Sequence, residues 1–380
     1  MGPRAARIVE LPTGGNAVVV EGQPLMVHGF GQYTRRPPEE YAPNLFQTER
    51  WDAVAPGWGS AEERVRDLDV DGIDAEVLFP GTHVPLVYEG MRTDKAAYNA
   101  MIRAYNGWLA EEYCAVAPDR LIGLGIIPIT GVEHAIAEME YCAKMGLKGI
   151  DLVGFPSGRW NPTPEDDKFW AAAIDLKIAV TAHISFNELR PAPPGERFKY
   201  PREPDVVAGG ADFVGRLARY ARAGGVDAVK LVVAGVFDRF PKLHIYWAET
   251  QIGWIPNFLE QMDNNYRVHR YWADDVFGVK LARRPSEYIQ EHCWWGFMYN
   301  PVGVRMRHEI GVDRLMWGSD FPHVETHWPH TLDMFEEMFT GVPEDEKYKV
   351  VAGNAIQFFH LDHAEKSEGT HQVASSASAA

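Results

Sequence analysis

Short apolar, β-branched runs alternate with longer amphipathic runs along most of this chain, and that alternation limits the fold more than any other feature. The predicted strands are 75–79 (AEVLF), 121–127 (LIGLGII), 148–152 (KGIDL), 178–183 (IAVTAH), 243–248 (LHIYWA), 292–297 (HCWWGF) and 315–318 (LMWG). Each is mostly apolar along its length, as a strand buried on both faces must be. Helices are predicted at 61–69, 94–116, 132–144, 164–175, 211–223, 254–263, 302–309, 332–339 and 344–359. Thr163-Pro164 reads as an N-cap with proline in the first turn, and Gly146 and Gly224 stand where helices should stop.

Strands alternating with helices imply a parallel sheet with helical crossovers. No Gly-x-Gly-x-x-Gly or phosphate loop follows any strand, so the nucleotide-binding folds lose support and a TIM barrel is favoured. A chain of 380 residues accommodates one such barrel of roughly 250 residues with insertions. A barrel needs eight strands, and only seven are found. The first is absent: before Ala75 there is only 8–20 (IVELPTGGNAVVV), a hairpin across Gly14-Gly15-Asn16, and an irregular stretch to Pro56. The expected fold is therefore α/β, a distorted (β/α)8 TIM barrel with its first strand missing or atypical and an N-terminal β-hairpin. The expected division is 1–60 for the hairpin and irregular segment, 61–361 for the barrel and 362–380 for a disordered tail, small and polar in composition. The Pro-rich stretch 189–205 reads as a long surface loop.

Composition narrows function by exclusion. A formal net charge of −16 leaves no basic surface for nucleic acid and disfavours an anionic membrane. No apolar run approaches the roughly 20 residues that span a bilayer. The N-terminus shows no signal-peptide core, and three scattered cysteines make neither a disulfide framework nor a zinc finger, which points to the cytoplasm.

The segment richest in chemistry is 315–330 (LMWGSDFPHVETHWPH). A strand ends there, and a turn of small residues puts Asp320 at its C-terminal edge, with His323, His327 and His330 following. The C-terminal strand ends are where TIM barrels build active sites. Carboxylate and imidazole there suit zinc or a similar divalent ion. His183 ends a middle strand at the same edge and is the second candidate ligand. Glu249, ending LHIYWAE, can be an acid/base group, a ligand or a salt-bridge partner. His244 lies at the opposite end of that strand and reads as structural. His83, after LFPGT, is a candidate substrate contact, as is His323. The basic pairs Arg267/Arg270 and Arg283/Arg284 read as surface, and the aromatic stretch 254–299 reads mainly as core.

These segments resemble the amidohydrolase-related family, in the branch that holds aminocarboxymuconate-semialdehyde decarboxylase and related aromatic-acid decarboxylases. The resemblance is carried by DLDVDGIDAEVLFPG (67–81), APDRLIGLGIIPI (117–129), MGLKGIDL (145–152), TAHIS (181–185), FPKLHIYWAETQIGWIP (240–256), RRPSEYI (283–289) and, most specifically, IGVDRLMWGSDFPH (310–323). It spans about residues 50–360. It implies a distorted TIM barrel, one divalent metal (zinc, with manganese or iron as alternatives), a small-molecule substrate and a homodimer. The family's middle-strand histidine ligand falls on His183 and its last-strand aspartate ligand on Asp320. Two departures stand out. The family's opening His-x-His strand has no match, so either the chain as read begins after it or half the metal shell is lost. The catalytic histidine that the decarboxylases carry after the sixth strand is here Glu249, which shifts weight from decarboxylation toward hydrolysis.

Two functions are therefore expected in competition. One is a metal-dependent hydrolase or carboxy-lyase, with Glu249 and Asp320 catalytic, His183 and Asp320 on the metal, and His323 and His83 on a carboxylated or cyclic substrate. The other is a non-catalytic or metal-independent barrel that serves as a binding or accessory protein.

Overall fold

The computed structural model describes residues 7–20, 23–26, 57, 59–80, 94–187, 196–202, 213–219, 221–323 and 325–361. The expected tail, His83 and most of the Pro-rich loop lie outside them. The N-terminal hairpin is present as β1 (Arg7–Glu10) and β2 (Asn16–Val20), joined through Gly14 in a left-handed conformation (φ +87°). A third strand, β3 (Gln23–Met26), pairs antiparallel with β2, so the expected hairpin is one part of a three-stranded sheet.

All seven predicted parallel strands form: β4 (Glu76–Leu78), β5 (Leu121–Ile127), β6 (Gly149–Leu152), β7 (Ala179–His183), β8 (Ile245–Ala248), β9 (Cys293–Phe297) and β10 (Leu315–Trp317). They pair parallel in chain order from β4 to β10, a single sheet of seven. The side chains alternate as period two requires. One face, with Val180, Ile245, Trp247, Trp295 and Leu315, packs under the helices. The other, with Leu124, Tyr246, Trp294 and Met316, forms a second core joined by Phe79 just past β4. The Phe79 ring lies 5.9 Å from that of Tyr246 on β8, four strands away in the ladder. A flat sheet spaces strands about 4.8 Å apart and cannot make that contact, so the sheet is curled. Gly296 on β9 admits the enclosed Tyr246 side chain, because a Cβ there would stand 2.3 Å from its hydroxyl.

Among the described residues no strand pairs β4 with β10, and the sheet is a curled arc of the seven strands read from the sequence. Across that seam runs the helix Ala61–Asp71, started by Ser60, whose side chain accepts from the Glu63 amide, and stopped by Gly72 in the left-handed region. It packs on the segment that follows β10: Trp328 Nε1 donates to the Asp67 carbonyl (2.9 Å), and Thr331 donates twice to the Asp71 carboxylate (3.0 and 2.7 Å).

The helices differ from expectation where apolar content misled. Gly224 does not end a helix; with φ +77° it precedes the buried helix Gly225–Val233, whose β-branched GVDAVKLVV was not read as helical. Of predicted helix 211–223, the described residues are helical only over Phe213–Leu217, and 218–219 and 221–223 are not. The helix predicted at 254–263 runs on as Ile255–Phe277, and Pro285–His292 is a further helix. Thr163 does stand at the start of its helix, where its N–H and its hydroxyl both donate to the Asp166 carboxylate (2.7 and 3.0 Å). The three cysteines are free and buried. No helix among the described residues is long and apolar enough to cross a membrane.

Candidate active site

In a parallel sheet the strand carboxyl ends open together on one rim, so polar residues there converge. His183 is the last residue of β7 and Glu249 the first after β8, and His183 pairs in register with Ala248. Asp320 follows β10 after Gly318 and Ser319. Glu249 joins the two sides of the site. His183 Nε2 lies 2.8 Å from Glu249 Oε1, and a Glu249 carboxylate oxygen and an Asp320 carboxylate oxygen lie within 4.8 Å of each other. Asp320 Oδ1 in turn lies 2.7 Å from His323 Nδ1. The four groups form one continuous run, His183–Glu249–Asp320–His323.

The backbone supports a functional reading. Glu249 (φ +60°) and Asp320 (φ +55°) both hold the left-handed conformation, as does Gln251 (φ +54°). Such conformations cost a non-glycine residue roughly 1–3 kcal/mol and persist where the surroundings impose them, most often at active sites.

Charge and burial act against each other along the run. Burial alone would lower the His183 pKa, but the Glu249 hydrogen bond and the charges of Glu249, Asp151 and Asp320 outweigh it and raise it. Burial would raise Glu249, yet its bonds to His183 and Asp320 hold it below the usual carboxylate range. Asp320 is pushed up to about 6, first by burial and, against the pull of His323, by the Glu249 charge. Two adjoining carboxylates cannot both ionise cheaply, so the charge of Glu249 opposes that of Asp320. His323 is raised, chiefly by its bond to Asp320.

That same crowding makes the residues fit a divalent cation. One ligand atom each from Glu249, Asp320 and His323 lie within 4.8 Å of one another. Donors about 2.1 Å from one ion are at most about 4.2 Å apart, so small side-chain adjustments gather them. The donor chemistry, carboxylate with imidazole, suits zinc, manganese or iron.

Of the residues picked from sequence, the structure brings His183, Glu249, Asp320 and His323 together; His83 lies outside the described residues. His323, expected as a substrate contact, stands among the donors. His327 packs on Tyr299 at 5.4 Å, and His330, largely exposed, faces Asp333 at 3.6 Å. His244 Nδ1 meets the Glu291 carbonyl (3.1 Å) at the far end of the sheet, as a structural histidine should. Arg283 pairs with Glu291 and Arg284 with Glu287, in keeping with a surface role. Sequence reasoning missed Asp151, an acidic residue inside β6 that accepts from Thr181 Oγ1 (2.8 Å) and is pushed up to about 6 by burial. The signal was present in KGIDL, a carboxylate within an apolar strand.

The family described as Amidohydrolase matches residues 43–361. A gamma-resorcylate decarboxylase from Polaromonas sp. is 25% identical, over 79% of this chain and 87% of its own. The 2-amino-3-carboxymuconate-6-semialdehyde decarboxylase of Dictyostelium discoideum is 23% identical, over 79% and 76%. Among solved structures, an amidohydrolase from Mycobacterium avium subsp. paratuberculosis superposes with a TM-score of 0.65 at 19% identity, covering 94% of this chain and 91% of its own. A dihydroxybenzoic acid decarboxylase from Polaromonas sp., solved with manganese and 2-nitroresorcinol, gives 0.56 at 23% identity, over 80% and 87%.

Proposed function

The chain belongs to the amidohydrolase family, and from that membership we propose that it is a metal-dependent decarboxylase of a small aromatic carboxylate. The observation that carries the proposal is Glu249, 2.8 Å from His183 on one side and beside Asp320 and His323 on the other, at the rim of a parallel sheet. Curated relatives named as decarboxylases, aligned over most of their length, support it. The curled sheet is read as a (β/α)8 barrel open at its first strand, with 61–361 as one domain. A cytoplasmic homodimer belongs to the same reading.

Asp320 and His323, whose donor atoms lie within 4.8 Å of each other and of a Glu249 oxygen, would hold the cation, manganese or zinc, with His183 joining them by the role the family implies. When bound, it would supply a fixed positive charge that draws a substrate oxygen and offsets the buried carboxylates. Glu249 handles the proton. Its bond to His183 keeps it ionised and aimed, so one of its oxygens can take a proton from a phenolic hydroxyl or water. Decarboxylation breaks the ring-carbon–carboxyl bond, carbon dioxide leaves, and the electron pair left on the ring carbon takes one proton. Glu249 can return a proton to that carbon, and solvent makes good the one consumed. Phe79, 6.1 Å from the His183 ring, offers an apolar wall for a planar substrate.

A second reading, hydrolysis, is favoured by one observation: a glutamate held ionised is a better base for water than acid for carbon. Manganese-loaded protein incubated with 2,6-dihydroxybenzoate should release carbon dioxide, and His183→Ala should abolish the release. Turnover of lactone or amide substrates without carbon dioxide would select hydrolysis. No turnover of either class and no bound metal would select the non-catalytic barrel.

A further inference from the structure

The residues bearing Asp320 and His323 leave the sheet at its seam, where β10 has a neighbour on one side only among the described residues. Among the described residues they are held by one face of the helix Ala61–Asp71. Arg64, Asp67 and Asp71 are three and four positions apart and so share that face. Asp71 takes both donors of Thr331, and the Asp67 carbonyl takes the Trp328 indole. Arg64 reaches the site itself. Its guanidinium carbon lies 3.6 Å from the centre of the Phe321 ring, and Phe321 is bonded directly to Asp320.

Arg64 is 4% exposed. Nε donates to Glu76 Oε1 at 2.7 Å and Nη2 to Glu76 Oε2, on edge strand β4. Nη1 is buried with no hydrogen-bond partner among the described residues. A buried charged donor left unpaired is costly, and a hydrophobic residue would fill the space without that cost. The guanidinium plane instead does what neither lysine nor an aliphatic side chain can. It is locked in two bonds to β4 and presents its flat face to the ring beside Asp320.

We propose that Arg64 is a positioning residue for Asp320: through Phe321 it ties the left-handed turn after β10 to β4, and so sets one wall of the cation site where, among the described residues, no strand ladder does. The metal part of this inference rests on the proposed function. Glu76 is its fixed point, and Asp67 and Asp71 carry the same clasp further along the segment.

The test is hydrogen–deuterium exchange of the metal-free full chain, read on peptides covering 315–323, with peptides covering 179–183 as internal control. Phe321→Leu leaves the Arg64–Glu76 pair intact and folds without stranding a charge. It should speed exchange at 318–323 by roughly threefold to thirtyfold, the range one cation–π contact supports, and leave 179–183 unchanged. Arg64→Met with Glu76→Gln should do the same, and Arg64→Lys should restore little. Wild-type exchange at 318–323 in Phe321→Leu would overturn the inference, as would an equal rise at 179–183, which marks general loosening. Manganese titration of the same variants should show binding weakened by a similar factor. Wild-type protein that binds no manganese would sink the proposed function, and the exchange measurement would still decide the role of Arg64.

Discussion

The two halves of the candidate site are built by different means. The His183–Glu249 half rises from the middle of the sheet, where β5 to β9 pair on both sides and bury tryptophans against the helices. The Asp320–His323 half rises from the seam, where β4 and β10 are three residues long and, among the described residues, the following segment is held by one helix. Ladder hydrogen bonds fix a strand end by repetition. A clasp fixes a turn by a few contacts, each of which one substitution can remove. Stability should therefore be concentrated in the arc, and adjustment of the site in the seam.

The largest expected effect breaks the arc. Trp247 is nearly fully buried and packs on Phe186 and Trp295. Trp247→Ala should cost about 3–5 kcal/mol in urea melts and lower every probe together. A separate, local probe would contradict a continuous arc.

Next is Asp151, in the interior of the arc. Its carboxyl sits near 6 in the folded chain, raised first by burial, against about 3.9 unfolded. The folded state thus binds the extra proton. Below pH about 4 both states are protonated and there is no penalty; between about 4 and 6 stability falls as pH rises, and above that the loss is complete. Asp151→Asn should remove that fall, gaining roughly 2–3 kcal/mol at pH 7.5 relative to pH 4 in metal-free melts. An unchanged pH profile would show Asp151 to be ordinary in acidity.

Thr331→Val sharpens the contrast at the seam. It strips the hydroxyl donor from the buried Asp71 carboxylate and should cost about 1–3 kcal/mol. Manganese affinity should fall with it, whereas a conservative change in the arc should spare affinity. The smallest effect is a gain. Lys177 ends the helix before β7 with φ +52°, and Lys177→Gly should stabilise by about 0.5–1 kcal/mol without touching activity, as thermal melts and turnover would report. Glycine at Glu249 or Asp320 would relieve the same strain and lose the site.

The arc was legible in the sequence because strands buried on both faces leave unbroken apolar runs. LIGLGII was bounded at Leu121 and Ile127, and IAVTAH ended where its strand ends, at His183. GVDAVKLVV was missed because a helix buried nearly all round reads like a strand. The curl, the third N-terminal strand and the length of Ile255–Phe277 depend on packing that no local pattern encodes. The clasp was invisible for a simple reason. Asp67 and Trp328 stand 261 positions apart, and RVRDLDVD reads as any charged helix face. Glu249 could be located but not assigned, since its role depends on which side chains the fold brings to it.

The central claim is that an arc-built and a seam-built half gather one cation between them. Calorimetric titration of metal-free protein with manganese tests it most directly. One site per chain should be found, and it should be lost in both His183→Ala and Asp320→Asn with the fold intact by circular dichroism. Binding that survives either substitution unchanged, or no binding in the unmodified chain, would contradict it.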